Sequence, residues 1–222
     1  MVLALHYAPH PQHPGRHVQK NENVMAGLAL FDFDGTITKT DTLFAIIRFV
    51  KGEKAFRRGM RKLLPHLVKF KLGLLSAQAV KEKVLTHFFK GMPMAEFRNR
   101  CGEFGYMELP LHIRKGARET IQQYVNEGAR VIVVTASAEE WVRPFCTGMR
   151  IELLGSRMEV DDDGRITGKL AGLNCNGEEK VCRIKAHVTL SDYDPIHAYG
   201  DSSGDRFMLA LAGQHAYFKP FR

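Results

Sequence analysis

Residues 28–36 read Leu-Ala-Leu-Phe-Asp-Phe-Asp-Gly-Thr, an apolar run that ends in two carboxylates and a Gly-Thr turn. Four consecutive apolar residues have no polar face, so the segment reads as a strand buried on both sides, as in the parallel sheets of α/β proteins. Ligands of open α/β sheets bind beyond the carboxyl ends of such strands, where Asp32 and Asp34 fall. Two carboxylates crowded at one strand end are costly unless a cation or a proton shares them. A hard divalent ion such as Mg²⁺ suits them, because it takes oxygen ligands and keeps positions open for water and phosphate.

The rest of the chain alternates strand and helix signals. The first strand is expected at Leu28–Phe33. Residues 41–108 read as helices broken at Pro65 and at Gly91-Met92-Pro93, with Phe56, Met60, Leu63, Leu64, Leu67 and Phe70 recurring at spacings of three and four. A helix over 113–127 stops near Gly128. Strands follow at Ala129–Val134 and Ile151–Leu154, with a helix from Glu139 to Phe145 after a Thr-Ala-Ser turn. Met158–Leu170, folded around Asp161-Asp162-Asp163-Gly164, reads as a hairpin. Glu178–Leu190 is helical, Pro195–Gly200 leads into an acidic loop, Asp205–Leu211 is helical, and Ala216–Phe218 is an edge strand. The alternation predicts an α/β fold: a doubly wound, mainly parallel, Rossmann-like sheet with an inserted helical cap domain. The expected organisation is an extension over 1–24, a core over 25–40 and 109–222, and a cap over 41–108 that sits over the site.

Composition narrows the class. In 222 residues, 45% hydrophobic and 25% charged content is ordinary for a globular protein. Cys101, Cys146, Cys175 and Cys182 form no CxxC pair and are expected as free thiols. No apolar run approaches the ~20 residues of a membrane span, and residues 1–24 carry Pro, His and Gln where a leader would be apolar. That stretch is expected to be disordered, and Met25 is a candidate start codon. The net charge of +8 is local: residues 48–72 hold nine Lys or Arg and one acid, Glu53, and the remainder balances.

Further pieces fall at the expected strand ends. Val131-Ile132-Val133-Val134-Thr135-Ala136-Ser137 ends a buried strand in hydroxyls and helix-start amides, which suit phosphate oxygens. Gly177-Glu178-Glu179-Lys180-Val181 places a lysine at a helix start, with Lys185 as the fallback. Gly200-Asp201-Ser202-Ser203-Gly204-Asp205 puts two more carboxylates after the last inner strand. Each alone is a common cap or surface feature, but their order and context agree.

Together these runs resemble the haloacid dehalogenase superfamily in its phosphatase branch, the phosphoserine phosphatase-like subgroup, over about residues 28–218. The resemblance implies a Mg²⁺-dependent phosphomonoester hydrolase in which Asp32 attacks phosphorus and Asp34 serves as acid and then base. It implies that Thr135 and Lys180 clamp the phosphoryl group, and that Asp32, Asp34 through its carbonyl, and Asp201 hold the ion. Asp205 then holds a metal-bound water or orients Lys180, with Ser202 beside it. Thr135, Ala136, Ser137, Lys180 and Asp41 are the expected substrate contacts. Asp41 stands where phosphoserine phosphatases carry a Glu that reads the substrate amine, and Ser-Ser-Gly replaces their usual Gly-Ala-Asn. Both departures weigh against strict phosphoserine specificity. Asp34 with Asp201 points away from dehalogenation.

Three functions follow as expectations. The first is a phosphatase for a small phosphorylated metabolite, phosphoserine-like and cytoplasmic. The second is a lipid headgroup phosphatase of the phosphatidylglycerophosphate type, with the basic cap against an anionic inner membrane surface. The third is a non-catalytic phosphate-binding relative, against which the intact carboxylates count. Nucleic acid is disfavoured, since the basic stretch has no binding module.

Overall fold

A computed structural model describes residues 27–222; the expectations for residues 1–24 and Met25 lie outside them. In chain order the elements are β1 (Leu28–Phe31), α1 (Thr42–Lys51), α2 (Glu53–Lys71), α3 (Ala77–Phe89), α4 (Met94–Met107), α5 (Leu109–His112), α6 (Lys115–Asn126) and β2 (Arg130–Ala138). There follow α7 (Glu139–Met149), β3 (Glu152–Ser156), β4 (Met158–Val160), β5 (Ile166–Leu170), α8 (Glu178–His187), β6 (Ile196–Gly200), α9 (Arg206–Ala210) and β7 (Ala216–Phe218).

Five strands form one sheet in the order β3-β2-β1-β6-β7, and every pairing in it is parallel. The chain leaves β1 toward β2 on one side and later returns to β1's other side as β6. The crevice where the strand order reverses therefore lies between the carboxyl ends of β1 and β6. The Asp32 amide bonds the Tyr199 carbonyl across that boundary, at 2.9 Å.

Strand alternation sorts the core into two layers. Ala29, Phe31, Val131 and Val133 face α6 and α7 through Ala117, Ile121, Trp141 and Val142, and this layer continues without a break into the helices inserted between β1 and β2. Leu28, Leu30, Ile132 and Val134 face the other way, onto Ile184 of α8 and Met208 of α9. Helices on both faces are what a strand buried on both sides requires.

Several boundaries differ from the expected ones. β1 stops at Phe31 rather than Phe33, because the chain turns at once and the Thr38 amide bonds back to the Phe33 carbonyl at 2.9 Å. β2 runs through the Thr-Ala-Ser segment expected as a turn and pairs β3 as far as Ala138, with an irregular register after Thr135. α7 extends past Pro144 to Met149, and α8 ends at His187. Pro65 does not break α2. An interior proline costs roughly 3 kcal/mol, but Pro65 is exposed, so water can satisfy the carbonyl it leaves unpaired. Phe56, Gly59 and Leu63 keep the helix packed on its inner face. α2 is bounded instead by Gly52 and Gly73, both with left-handed φ, while the expected break at Gly91-Met92-Pro93 does separate α3 from α4.

β4 and β5 form a separate antiparallel hairpin laid against α3. Gly168 of β5 has φ +87°, and a Cβ there would collide with the α3 backbone at Thr86. The close approach is thus built on a glycine. All four cysteines are free; Cys101, Cys146 and Cys175 are buried and Cys182 is exposed.

Candidate active site

Asp32 follows β1 directly and is buried. Its Oδ1 accepts from Lys180 Nζ at 2.7 Å and its Oδ2 from the Thr36 hydroxyl at 3.1 Å. Lys180, in the first turn of α8, also donates to Asp205 Oδ1 at 2.6 Å and is 1% exposed. Lys185, on the same helix, is exposed and points elsewhere. Burial pushes the Asp32 carboxyl up to about 7 against the Lys180 charge, with Asp205 and Asp34 adding to the rise. Burial would lower the Lys180 ammonium, but the charges of Asp32 and Asp205 outweigh it and hold it above its ordinary value. Burial likewise opposes ionisation of Asp205, yet the Lys180 charge and the donors around it keep that carboxyl below the usual range.

The acidic loop after β6 is wrapped around Asp205. Its Oδ2 accepts from the Asp201 amide at 3.1 Å and from the Ser202 amide and hydroxyl at 2.9 Å each. This leaves the Asp201 carboxylate facing β1, in contact with the Arg222 guanidinium. Burial, and then Asp205, raise the Asp201 carboxyl. Gly35 has φ +82°, and a Cβ there would strike the Asp201 carboxylate, so the Gly in the first motif is a steric requirement as well as a conformational one.

Asp34 is held by donors from two other elements. Its Oδ1 accepts from the Thr42 amide at 2.7 Å and hydroxyl at 2.6 Å, and its Oδ2 from the Ser137 hydroxyl at 2.5 Å. Trp141 Nε1 fixes the Thr42 hydroxyl from behind at 3.1 Å. Asp41 caps α1, accepting from the Leu43 amide at 2.9 Å. Burial, then the Asp34 charge, push its carboxyl up to about 6.

These groups open onto a cavity of about 170 Å³ lined by Asp32, Asp34, Asp41, Thr135, Ser137 and Asp201, among others. Ala136, Ser202 and Asp205 also reach its wall, and Lys180 lies beneath Asp32. Thr135 is buried, and its Oγ1 accepts from the Ser137 amide at 3.0 Å. Larger hollows elsewhere on the surface contain none of these carboxylates. Every residue the sequence singled out thus lies at or under one cavity, save the fallback Lys185.

Sequence reasoning missed two of its walls. Lys81 reaches down from α3, and its Nζ donates to the Ala136 carbonyl at 2.7 Å and to Asn174 Oδ1 at 2.8 Å. Burial lowers this ammonium while the charges of Asp34 and Asp41 oppose the fall. The signal was present: Lys81, Val84, Leu85 and Phe88 form an i, i+3, i+4, i+7 stripe, so a cation heads the buried face of α3. Asn176, just before the Gly177 motif, is the second.

The donor set fits a hard divalent cation. Oxygens of Asp32, Asp201 and Asp205 lie within 4.8 Å of one another. Four carboxylates, of Asp32, Asp34, Asp201 and Asp205, face the Lys180 ammonium and, at the rim, the Arg222 guanidinium. The excess when all are ionised is the charge of one divalent ion, and burying it otherwise is costly.

Residues 29–210 match the family model of the haloacid dehalogenase-like hydrolases, and the chain belongs to that family. It is 36% identical over 195 residues to "Protein CicA" of Caulobacter vibrioides, a match that covers 86% of this chain and 85% of that one. It is also 25% identical to a histidinol-phosphatase of Neisseria meningitidis serogroup C, covering 88% of this chain and 91% of the relative. A solved structure described as a phospho-aspartyl intermediate analogue of phosphoserine phosphatase shares the fold, with a TM-score of 0.56, 24% identity, and coverage of 85% of this chain and 84% of that one.

Proposed function

We propose that this phosphatase-family chain hydrolyses a small phosphomonoester that carries an amine, through a phosphorylated Asp32. The observation that carries the reading is the placement of Asp32: buried at the end of β1, gripped by Lys180, with Asp34 and Asp201 beside it at the floor of a cavity.

The residues divide the work. An Asp32 carboxylate oxygen attacks phosphorus as the ester P–O bond breaks, and the departing alkoxide takes its proton from the Asp34 carboxyl. Asp34, now ionised, removes a proton from water, whose oxygen attacks phosphorus, breaks the acyl-phosphate bond and frees Asp32 and phosphate. Lys180 offsets charge on the phosphoryl oxygens and Asp32, while the Thr135 hydroxyl and the Ala136–Ser137 segment position those oxygens. Asp205 positions Lys180 through its 2.6 Å bond. Asp32, the Asp34 carbonyl and Asp201 would hold Mg²⁺, which when bound supplies positive charge to the phosphoryl group and leaving oxygen.

Substrate size and charge follow from the walls. Drug-sized sites run about 300–1,000 Å³; this cavity, at about 170 Å³, takes a phosphoryl group and a few more heavy atoms. Asp41 suits a substrate ammonium. Lys81, freed from the Ala136 carbonyl, suits a second anionic group. A histidinol-phosphatase and a phosphoserine phosphatase stand among the similar proteins, and both names denote substrates with an amine near the phosphoester. The helices over 41–108 act as the cap that supplies Asp41 and Lys81. A lipid headgroup is the second reading, favoured by the cationic insertion; its acyl chains would stay outside the cavity.

The test is phosphate release from phosphoserine, histidinol phosphate, a sugar phosphate and phosphatidylglycerophosphate, with Mg²⁺ and with chelator. The expected result is metal-dependent turnover that is fastest on an amine-bearing metabolite. Fastest release from phosphatidylglycerophosphate would favour the headgroup reading, and no release from any member would sink both.

A further inference from the structure

The α2–α3 hairpin carries a surface that the site does not use. Leu64 and Val68, one turn apart on α2, and Leu72 and Leu74 in the segment that follows are between 49% and 68% exposed. Isolated exposed apolar residues are ordinary, whereas a cluster marks a contact surface. On α2 the spacing is regular. Phe56, Gly59 and Leu63 face inward against α3, and Arg57, Arg61, Leu64, Val68 and Lys71 succeed one another at steps of three and four along an exposed flank. The flank is cationic at both ends and apolar between them.

Charge identifies what covers it. Glu53 pairs with Arg48 and Arg57, but Lys54, Arg58, Arg61, Lys62, Lys69 and Lys71 have no carboxylate partner among the described residues and are exposed. The whole formal excess of +8 resides in this stretch. A second copy would bring like charge against like charge. An anionic bilayer accepts both features: apolar side chains enter the acyl boundary, and long basic side chains extend to the headgroup phosphates. No helix of the described residues is long and apolar enough to cross a membrane, so the contact would be peripheral.

We infer that the outer flank and tip of the α2–α3 hairpin dock the protein on anionic phospholipid bilayers, with Leu64, Val68, Leu72 and Leu74 inserted and the surrounding lysines and arginines on the headgroups. Lys81, a wall of the cavity, lies five residues after Ser76, the cap of α3, which is about 7.5 Å along the helix. Docking therefore brings the cavity close to the membrane surface. The inference concerns the surface alone and stands whatever the site hydrolyses.

Co-sedimentation of the full chain with vesicles tests it. The vesicles are phosphatidylcholine alone or phosphatidylcholine mixed with phosphatidylglycerol, at low and high salt. Binding is expected to the anionic vesicles only and to weaken with salt. A Leu64→Ser, Leu72→Ser, Leu74→Ser variant should bind them at least tenfold more weakly, since each buried methylene group contributes. Its unfolding temperature should match the parent, because these side chains touch solvent. Failure to bind anionic vesicles at low salt would overturn the inference. So would undiminished binding by the variant, which would reduce the contact to charge alone. A dimer in solution that the variant dissolves would assign the tip to a second copy instead.

Discussion

Lys180 holds two buried carboxylates at 2.7 and 2.6 Å, and its removal leaves both without a counterion. Truncating one partner of a buried ionic cluster costs about 3–5 kcal/mol. Lys180→Met should therefore lower the stability measured by urea unfolding by roughly 3 kcal/mol or more, and abolish turnover. Mg²⁺ should restore part of the stability and none of the turnover. Lys81 is different, because its role would be to read the substrate. Lys81→Met should raise KM about tenfold or more for a substrate with a second anionic group, as losing a charge-assisted hydrogen bond of about 1.5–3 kcal/mol requires, with kcat nearly unchanged. Equal effects on substrates lacking that group would contradict the assignment. The contrast between these lysines shows what a sequence displays. Lys180 stands in a short motif beside a strand end and could be found by pattern. Lys81 meets the site only because α3 folds over it, and its position heading an apolar stripe is the sole trace it leaves.

Elements explain where stability resides and where the sequence misled. Arg130 at the start of β2 makes a two-pronged contact with Glu152 of β3, at 2.6 and 2.8 Å, and His187 of α8 touches the same carboxylate. The Arg130 hydrogen bonds, with a further contribution from His187, outweigh burial and hold Glu152 below its ordinary value of 4.5. The folded protein binds that proton less readily than the unfolded chain, so this stabilisation is complete above pH 4.5 and lost as the pH falls below it. Glu152→Gln should be less stable than the parent at neutral pH, and its unfolding temperature should decline less between pH 5 and 3, as read by calorimetry. Gly168→Ala should destabilise by about 2 kcal/mol or more, since it adds a left-handed φ to a collision with the α3 backbone; urea unfolding checks it. The apolar runs of β1 and β2 fixed their places in the sheet because only burial on both faces explains them. The ends of β1, β2 and α7 were hidden, since backbone partners supplied by other strands decide them. Pro65 misled because local propensity gave way to the packing of α2 on α3.

For the whole molecule, a doubly wound sheet brings β1 and β6 together at its point of reversal, and the carboxylates meet there although Asp32 and Asp201 are far apart in sequence. A divalent ion that neutralises the excess negative charge of the folded site would couple its binding to folding. With Mg²⁺ at 100 times its dissociation constant, stability should rise by about 2.7 kcal/mol, and Asp201→Asn should lose most of that rise in a thermal-shift titration. The +8 stretch over 48–72 belongs to the inserted helices, apart from the sheet and its carboxylates. The central claim is that Asp32 carries the phosphoryl group between its two bond changes. The measurement that tests it most directly is acid-quenched intact-mass and peptide mass spectrometry of the Asp34→Asn variant after mixing with Mg²⁺ and p-nitrophenyl phosphate, whose leaving group needs no proton from Asp34, so that only breakdown of the intermediate is slowed. The account predicts a mass gain of one phosphoryl group located on Asp32 and absent from the double variant with Asp32→Asn. Turnover retained by an Asp32→Asn variant, with the label found on another residue or on none, would contradict it.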